Sequence, residues 1–354
     1  MGKVKKLRSI FNDWNIDGIL ITSAVNLRYM TGFTGSSGLA VVSKDRAAFI
    51  TDFRYMDQAN EQIDGFEIIE HKGNLTKKAV ETMKDMGIKS IGFEQDKMTY
   101  GTYAAYLKQY PDANFVPTSQ TVEKLRLIKT PEEIKILEEA AKIADEAFSH
   151  ILTFIKPGIS ELSVANELEF YMRKLGASES SFDTIVASGA RSALPHGVAS
   201  DKIIEPGDFV TLDYGAYYKG YCSDITRTVS VGKPSDKLKE IYQIVLEAQL
   251  HARKHIKPGI SGKEADALAR SIIAEKGYGE YFGHSTGHGL GMEVHENPAL
   301  SIKSEWELEK GMVVTVEPGI YLSGLGGVRI EDDIVLTEDG NTSLIHSPKE
   351  LIIL

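Results

Sequence analysis

The chain has 354 residues, 42% of them hydrophobic, which is enough for more than one core and predicts two domains. A net charge of −10, with no lysine and arginine block beyond the first residues, argues against a nucleic-acid partner. No apolar run reaches the roughly 18 residues that span a bilayer, and no signal peptide follows the first lysines. The single cysteine, Cys222, excludes an internal disulfide, so we expect a cytoplasmic protein without a membrane partner.

The first part of the chain alternates helical patterns with short β-rich runs. Residues 18–22, 39–43 and 47–51 predict strands of an α/β domain. A polar stretch over residues 120–129 predicts the end of this domain. We therefore assign residues 1–124 to an amino-terminal domain and residues 125–354 to a larger carboxy-terminal one.

A long helix is predicted to begin the second domain. Thr130 is a capping residue, Pro131 occupies the first helical position and Glu133 completes a capping box. Apolar residues then recur at steps of three and four as far as Phe154. This stripe must pack against another layer of the domain.

The second domain contains a repeat. The segment IKPGIS occurs at residues 155–160 and again at residues 256–261, each time between two helical patterns. About fifty residues after each copy, the segments GDFVTLDYG and GMVVTVEPG resemble each other, and Asp213 in the first matches Glu317 in the second. We infer a duplicated domain with a pseudo-twofold axis.

A β-hairpin is predicted over residues 209–228. If it is centred between Tyr218 and Lys219, Asp213 pairs directly with Asp224, which places two carboxylates on one face about 5 Å apart. Carboxylates this close repel each other and raise one pKa, so a shared proton, a basic residue or a cation must compensate.

The second copy of the repeat supplies two further acids. Glu317 corresponds to Asp213, and Glu331, in the strand-like segment 328–336, roughly corresponds to Asp224. A twofold axis would bring four carboxylates to one centre, where burial without a cation would cost many kcal/mol. Two divalent ions about 3.5 Å apart would satisfy the acids and leave bridging positions for water.

Three histidines, His284, His288 and His295, lie in the glycine-rich segment HSTGHGLGMEVHENP. The first two have the spacing of a helical zinc site, but each glycine weakens a helix by about 1 kcal/mol. We predict instead that the glycines let the chain pass close to a crowded site, with His288 as a neutral nitrogen ligand. Four carboxylates and one imidazole favour manganese, with cobalt, iron or zinc able to substitute.

These motifs resemble a known metal site. Asp213 and Asp224, eleven residues apart and followed by GHGLG, VEPG and VRIEDD, are similar to the ligands of the creatinase/aminopeptidase P/prolidase family, the pita-bread metallopeptidases. VNLRYMTGFTGSSG and TDFRYM resemble the family's amino-terminal domain. The resemblance implies an α+β fold in which a smaller α/β domain precedes a pseudo-twofold pita-bread domain, an antiparallel sheet covered by helices.

The resemblance also implies a ligand set for two divalent metal ions. The ligands would be Asp213, Asp224, His288, Glu317 and Glu331, with Asp224 and Glu331 bridging the ions. No ligand of the family pattern is missing, which argues against creatinase itself.

Further residues would bind the substrate. The resemblance implies that His196, His284 and His295 surround it, that Arg329 pairs with a carboxylate, and that Glu317 acts with His196 and His295 in catalysis. It also implies a homodimer.

The implied activity is hydrolysis of the bond between an amino-terminal residue and proline in dipeptides or short peptides, as in an Xaa-Pro dipeptidase (prolidase). The alternative is an Xaa-Pro aminopeptidase that acts on longer peptides. Arg329 could bind the carboxylate of a dipeptide or instead orient Glu331, and the compact amino-terminal domain favours the dipeptidase. A non-catalytic binding module with structural metals is a third hypothesis.

Overall fold

The structure is a computed structural model and describes residues 2–354. The chain divides into two compact units between Arg126 and Leu127. Within the described residues, no helix combines the length and the apolar character needed to cross a membrane.

The first unit is a mixed sheet with helices. Its strands are β1 (Gly18–Ile21), β2 (Leu39–Ser43), β3 (Ala47–Thr51), β4 (Glu67–Glu70), β5 (Ser90–Glu94) and β6 (Asn114–Thr118). Its helices are α1 (Lys3–Ser9), α2 (Phe11–Trp14), α3 (Ala24–Thr31), α4 (Met56–Gln62), α5 (Leu75–Asp85), α6 (Tyr100–Gln109) and α7 (Glu123–Arg126). The strand order is β4-β3-β2-β1-β5-β6, with β1 antiparallel to β2 and parallel to β5.

The second unit combines long helices with antiparallel sheets. Its helices are α8 (Pro131–Phe154), α9 (Glu161–Lys174), α10 (Asp236–His255) and α11 (Gly262–Glu275). Its strands are β7 (Glu179–Ser180), β8 (Ile185–Ser188), β9 (Phe209–Tyr214), β10 (Ala216–Tyr218), β11 (Tyr221–Cys222), β12 (Ile225–Ser230), β13 (Gly287–Gly289), β14 (Glu296–Leu300), β15 (Val313–Val316), β16 (Gly319–Leu322), β17 (Gly326–Arg329), β18 (Asp332–Leu336) and β19 (Asn341–Ser343).

Helix α8 begins as the sequence predicts. The backbone N–H of Glu133 donates to the Thr130 hydroxyl, and the Glu133 carboxylate accepts from the Thr130 N–H at 2.8 Å, which completes the capping box. Both IKPGIS copies then connect helices in the same way. Ser160 caps α9 and Ser261 caps α11, each by accepting a hydrogen bond from the backbone three residues later.

The two halves of the second unit meet along β12. In the first half the strand order is β12-β9-β8, and in the second it is β14-β13-β15-β18-β19. The N–H of Glu331 donates to the Thr226 carbonyl, and the Thr228 hydroxyl donates to the Arg329 carbonyl. The predicted fold, an α/β domain followed by a duplicated pita-bread domain, is confirmed.

The register of the hairpin differs from the prediction by two residues. Lys219 and Gly220, with φ values of 49° and 93°, form a two-residue turn whose twist suits paired strands. Asp213 therefore faces Thr226, and the predicted direct pairing with Asp224 is wrong. Because side chains alternate with a period of two, the shift leaves Asp224 on the expected face, diagonal to Asp213.

Candidate metal and substrate site

A cavity of about 510 Å³ lies in the second unit. Every residue that the sequence analysis assigned to the site lines it: His196, Asp213, Asp224, His284, His288, His295, Glu317, Arg329 and Glu331. The remaining wall is formed by Phe182, Asp183, Ile185, Pro195, Val198, Ser285 and Val294. The cavity thus brings together residues from both copies of the repeat, although these residues lie far apart in the chain.

The four acids lie at strand ends that face the cavity. Asp213 is the penultimate residue of β9, and Asp224 directly precedes β12. In the other half, Glu317 follows β15, and Glu331 directly precedes β18. Each half therefore contributes one acid from the end of one strand and one from the start of its antiparallel partner.

Two glycines explain how His288 reaches this centre. His288 lies in β13, between Gly287 and Gly289, so the segment is extended and not helical. A Cβ at Gly287 would lie 2.0 Å from the Thr315 carbonyl oxygen, and one at Gly289 would lie 2.1 Å from that of Asn297. Side chains at these positions would push β13 away from its neighbours, so the predicted close approach is observed.

Three of the four acids are buried and incompletely paired. Asp213 Oδ1, Asp224 Oδ1 and Glu331 Oε1 are buried oxygens without a hydrogen-bond donor among the described residues. Burial raises the pKa of Asp224 and of Glu331 well above the usual range, and the neighbouring carboxylates raise both further. Arg329 is the cation in this cavity, and its guanidinium contacts Asp213 Oδ2 at 2.5 Å.

His288 presents an unprotonated nitrogen to these acids. Its Nδ1 donates to the Gly289 carbonyl at 3.1 Å, and burial lowers the pKa of the ring, so Nε2 of the neutral ring carries a lone pair. That Nε2 lies 3.3 Å from Glu317 Oε1 and 3.8 Å from Asp224 Oδ2. A lone pair facing carboxylate oxygens is repulsive unless a proton or a cation lies between them.

The donor set therefore fits a metal ion. Donor atoms of Asp224, His288 and Glu331 all lie within 4.8 Å of one another. Carboxylate oxygens with one imidazole nitrogen are ligands that manganese, iron, cobalt and zinc accept. A cation would give the unpaired oxygens the partner that the described residues do not provide.

Glu317 is the half-buried acid of the four, with 16% of its side chain exposed. Besides His288, it contacts the Thr315 hydroxyl, which donates to its Oε1 at 3.2 Å. Burial raises the pKa of Glu317 to about 8, against the opposing effect of Arg329.

Tyr321 is a residue of the site that the sequence analysis missed. Its hydroxyl accepts a hydrogen bond from Arg329 Nη1 at 2.7 Å and lies 2.8 Å from His284 Nε2. The Nδ1 of His284 donates to the Ser285 carbonyl, so Nε2 is the acceptor for the Tyr321 hydroxyl, and both ring nitrogens are occupied. Burial lowers the pKa of His284 to about 4, which keeps the ring neutral.

Only the register of the paired strands indicates that Tyr321 belongs to the site. In the hairpin of β16 and β17, Arg329 pairs with Gly319, so Tyr321, two residues later, lies on the same face. Thr226 was missed for a similar reason: its hydroxyl donates to Glu331 Oε2 at 2.6 Å and accepts from Arg329 Nε. A threonine in a strand gives no sequence signal for such a contact.

The other two histidines occupy different walls of the cavity. His295 directly precedes β14, and its ring centroid lies 4.3 Å from that of His288. Burial, followed by the proximity of His288, lowers the pKa of His295. His196 is exposed and lies on the segment between β8 and β9.

Comparison with known proteins gives a consistent result. Metallopeptidase family M24 matches residues 135–338, and the Creatinase/Prolidase N-terminal domain family matches residues 3–128. An Xaa-Pro dipeptidase of Pyrococcus horikoshii is 44% identical over 99% of this chain and 98% of its own. The solved structure of an Xaa-Pro dipeptidase from Bacillus anthracis is 64% identical, with a TM-score of 0.98 over 99% of each chain.

An X-Pro aminopeptidase from Thermotoga maritima is also similar, with 43% identity and a TM-score of 0.92 over 97% of this chain and 99% of that one. The family M24 match spans more than half of the chain and contains all the acids and histidines of the cavity. This chain is therefore a member of metallopeptidase family M24 with a creatinase/prolidase-type amino-terminal domain.

Proposed function

We propose that this protein is a metal-dependent peptidase that hydrolyses the bond between an amino-terminal residue and proline, with Xaa-Pro dipeptides as the leading substrates. One observation carries the proposal: three buried carboxylates, the half-buried carboxylate of Glu317 and the unprotonated nitrogen of His288 face one cavity, and three of the carboxylate oxygens have no donor among the described residues. The similarity to Xaa-Pro dipeptidases supports the choice of substrate.

Two divalent ions are proposed for this site. Asp213, Asp224, His288, Glu317 and Glu331 would hold them, with Asp224 and Glu331 shared between the two. The chemistry that divalent ions supply is polarisation of a carbonyl and a lower pKa of water. Manganese is the proposed metal, with cobalt, iron or zinc as substitutes, and metal analysis of the purified protein would exclude the proposal if it found less than one ion per chain.

The side chains around the ligands have separate roles in this proposal. Glu317 would accept the proton of the attacking water and pass it to the proline nitrogen. His295 and His196 would donate hydrogen bonds to the oxygen that gains charge and to the substrate ends. His284, whose ring nitrogens are both occupied, would form a wall of the substrate pocket and hold Tyr321.

The imide bond before proline explains why a dedicated peptidase is needed. Proline has no backbone N–H and a fixed φ, so peptidases that bind the N–H of the residue after the cleaved bond recognise it poorly. A site that depends on ligands and histidines around the carbonyl does not require that N–H.

Whether the site prefers dipeptides or longer peptides depends on the role of Arg329. Its guanidinium already contacts Asp213, Tyr321 and Thr226 through three different nitrogens. A dipeptide carboxylate would therefore have to compete with Asp213 for this cation. This observation favours a second candidate function, an Xaa-Pro aminopeptidase that accepts peptides extending beyond proline.

A comparison of three peptides tests both candidates. With manganese present, we expect cleavage of Ala-Pro and no measurable cleavage of Ala-Ala. Efficient cleavage of Ala-Pro-Ala in preference to Ala-Pro would replace the dipeptidase by the aminopeptidase. If the protein binds manganese and cleaves none of several Xaa-Pro peptides, the peptidase proposal is wrong and the non-catalytic binding module is favoured.

We further propose that the protein works in the cytoplasm as a homodimer. Its single cysteine is buried and free, which suits a reducing compartment. Sedimentation velocity tests the assembly, and a monomer at micromolar concentration would contradict it. Cell fractionation tests the location.

A further inference from the structure

A buried carboxylate lies behind the segment that carries His196. Glu161 is the first residue of α9, directly after the first IKPGIS copy, and it is 0% exposed. No sequence motif marks it, and it does not line the cavity. Its position nevertheless connects it to the candidate site through the chain between β8 and β9.

Glu161 joins the two ends of one segment. Its Oε1 accepts hydrogen bonds from the N–H and the hydroxyl of Ser188, at 2.7 and 2.8 Å. Its Oε2 accepts from the N–H and the hydroxyl of Ser200, at 3.1 and 2.6 Å. We call residues 189–199, which lie between these serines and include His196, the His196 loop.

Arg191 extends the connection into the loop. Its Nε donates to Glu161 Oε2 at 3.0 Å, and its Nη2 donates to the Val198 carbonyl at 2.7 Å. The carboxylate thus fixes both ends of the His196 loop and, through Arg191, its middle. The ring of His196 has no hydrogen bond of its own to the described residues, so its position depends on the loop backbone.

The other half of the domain contains a related construction, in which the carboxylate binds one segment and the arginine belongs to the same helix. Asp266, which is 1% exposed on α11 after the second IKPGIS copy, accepts from the N–H and hydroxyl of Thr286. Arg270 binds both Asp266 oxygens and donates to the His284 carbonyl at 2.6 Å. A buried carboxylate and an arginine therefore hold the chain beside a cavity histidine in each half.

The two carboxylates are four residues apart in the repeat, which is about one helical turn. Gly262 occupies the position equivalent to Glu161, and a Cβ there would lie 2.2 Å from the Ala299 carbonyl oxygen. The second half therefore has no room for a side chain at that position. In the second half, the buried carboxylate therefore lies one helical turn further along, on the same face of α11.

We propose that Glu161 is a positioning residue that holds His196 in the substrate cavity by binding both ends of the His196 loop. The proposal rests on the proposed function, because it assigns to His196 a contact with the substrate. It goes beyond stabilisation of the fold: loss of the Glu161 contacts should affect the reaction through the His196 loop, in which His196 is the polar residue that lines the cavity and Pro195 and Val198 are the apolar ones.

The test is a double-mutant cycle with Glu161→Gln and His196→Ala. Glutamine keeps the size of the side chain but places an NH₂ group among N–H and O–H donors, so the loop loses part of its attachment. We expect E161Q to lower kcat/KM for Ala-Pro by about 10- to 100-fold. In the H196A background the same change should have less than about a twofold effect, since the histidine it positions is absent.

The matched control is Asp145→Asn. Asp145 is also a helix carboxylate that accepts from the backbone of a distant segment, at His346 and Ser347, but this segment does not line the cavity. D145N should lower the unfolding temperature and leave kcat/KM unchanged. An E161Q effect of equal size in both backgrounds, or no effect in either, would overturn the proposal.

Two further measurements cover the cases in which E161Q does not fold or the wild-type protein is inactive. If E161Q does not fold, Ser200→Ala removes the 2.6 Å bond to Glu161 and the 3.2 Å bond that the Ser200 hydroxyl accepts from the Lys202 N–H, and it should give a smaller effect with the same dependence on His196. If the wild-type protein cleaves no Xaa-Pro peptide, the proposed function fails. The His196 Cε1–H NMR signal, assigned with H196A, then tests the positioning alone: it should broaden or split in E161Q but not in D145N, and an unchanged signal would overturn it.

Discussion

Replacing Glu317 with alanine is expected to lower Xaa-Pro turnover by at least about 100-fold, even at saturating manganese. The reason is that Glu317 combines two functions in the proposal, as a ligand and as the proton acceptor. Its Oε1 lies 3.3 Å from His288 Nε2, and burial raises its pKa to about 8 against the opposing charge of Arg329. Steady-state kinetics with Ala-Pro, together with the metal content of each protein, provides the measurement.

Two companion variants make this result specific. Glu317→Gln keeps the size of the side chain, so it should lose activity to a similar extent while unfolding close to the wild-type temperature. Glu338→Ala removes an exposed glutamate of the same half, whose partner is Lys310, and should leave turnover within about twofold of wild type. Turnover of E317A at the wild-type rate would end the peptidase proposal.

Local signals in the sequence predicted the elements well. β2 and β3 are observed over residues 39–43 and 47–51 as predicted, because β-branched and apolar runs there are bounded by polar residues. Helix α8 starts at Pro131 because Thr130 and Glu133 form a capping box, which depends on four consecutive residues. Such short-range features do not require knowledge of the tertiary structure.

The hairpin shows where local prediction failed. The turn was placed one residue too early, since Lys219 is not a residue that usually adopts a positive φ. A shift of two in the pairing keeps the same face, so the prediction that Asp213 and Asp224 share a cavity was unaffected. An odd shift would have placed Asp224 on the other side of the sheet.

The repeat predicted which acids meet, but not what surrounds them. Glu317 and Glu331 could be matched to the acids of the first half because a twofold axis repeats positions along the chain. Tyr321 and Glu161 could not be assigned in this way: Tyr321 depends on a strand register, and Glu161 contacts Ser200 across 39 residues of sequence. Contacts of this kind follow from tertiary packing, for which the repeat contains no signal.

Removing the metal with a chelator is expected to abolish hydrolysis and to make stability depend strongly on pH. The carboxyl groups of Asp224 and Glu331 have pKa values raised well above the usual range, and that of Glu317 is raised to about 8. Between about pH 6.5 and pH 8 the cavity histidines, whose pKa values are lowered, contribute little, and the folded, metal-free protein therefore binds more protons than the unfolded chain. Its free energy of unfolding should fall as pH rises, by up to about 1.4 kcal/mol per pH unit for each such group.

Manganese should reverse this dependence. Metal ions bind the deprotonated ligands, so the stabilisation that they provide increases with pH. Thermal unfolding followed by calorimetry should show a rise of roughly 5–10 °C on adding manganese at pH 8, and a smaller rise at pH 5.5. Activity should return on the same titration, since the same site is filled.

The variant Asp224→Asn distinguishes between relief of charge repulsion and a general loss of stability. Without metal at pH 8, this variant should unfold at a temperature at least as high as the metal-free wild type, because one of the repelling buried charges is removed. It should also lose the manganese-dependent rise, whereas Glu338→Ala should retain it. If the metal-free wild type were equally stable at pH 6.5 and pH 8, the acids would have found another partner inside the cavity, and the assignment of a metal centre to these residues would be wrong.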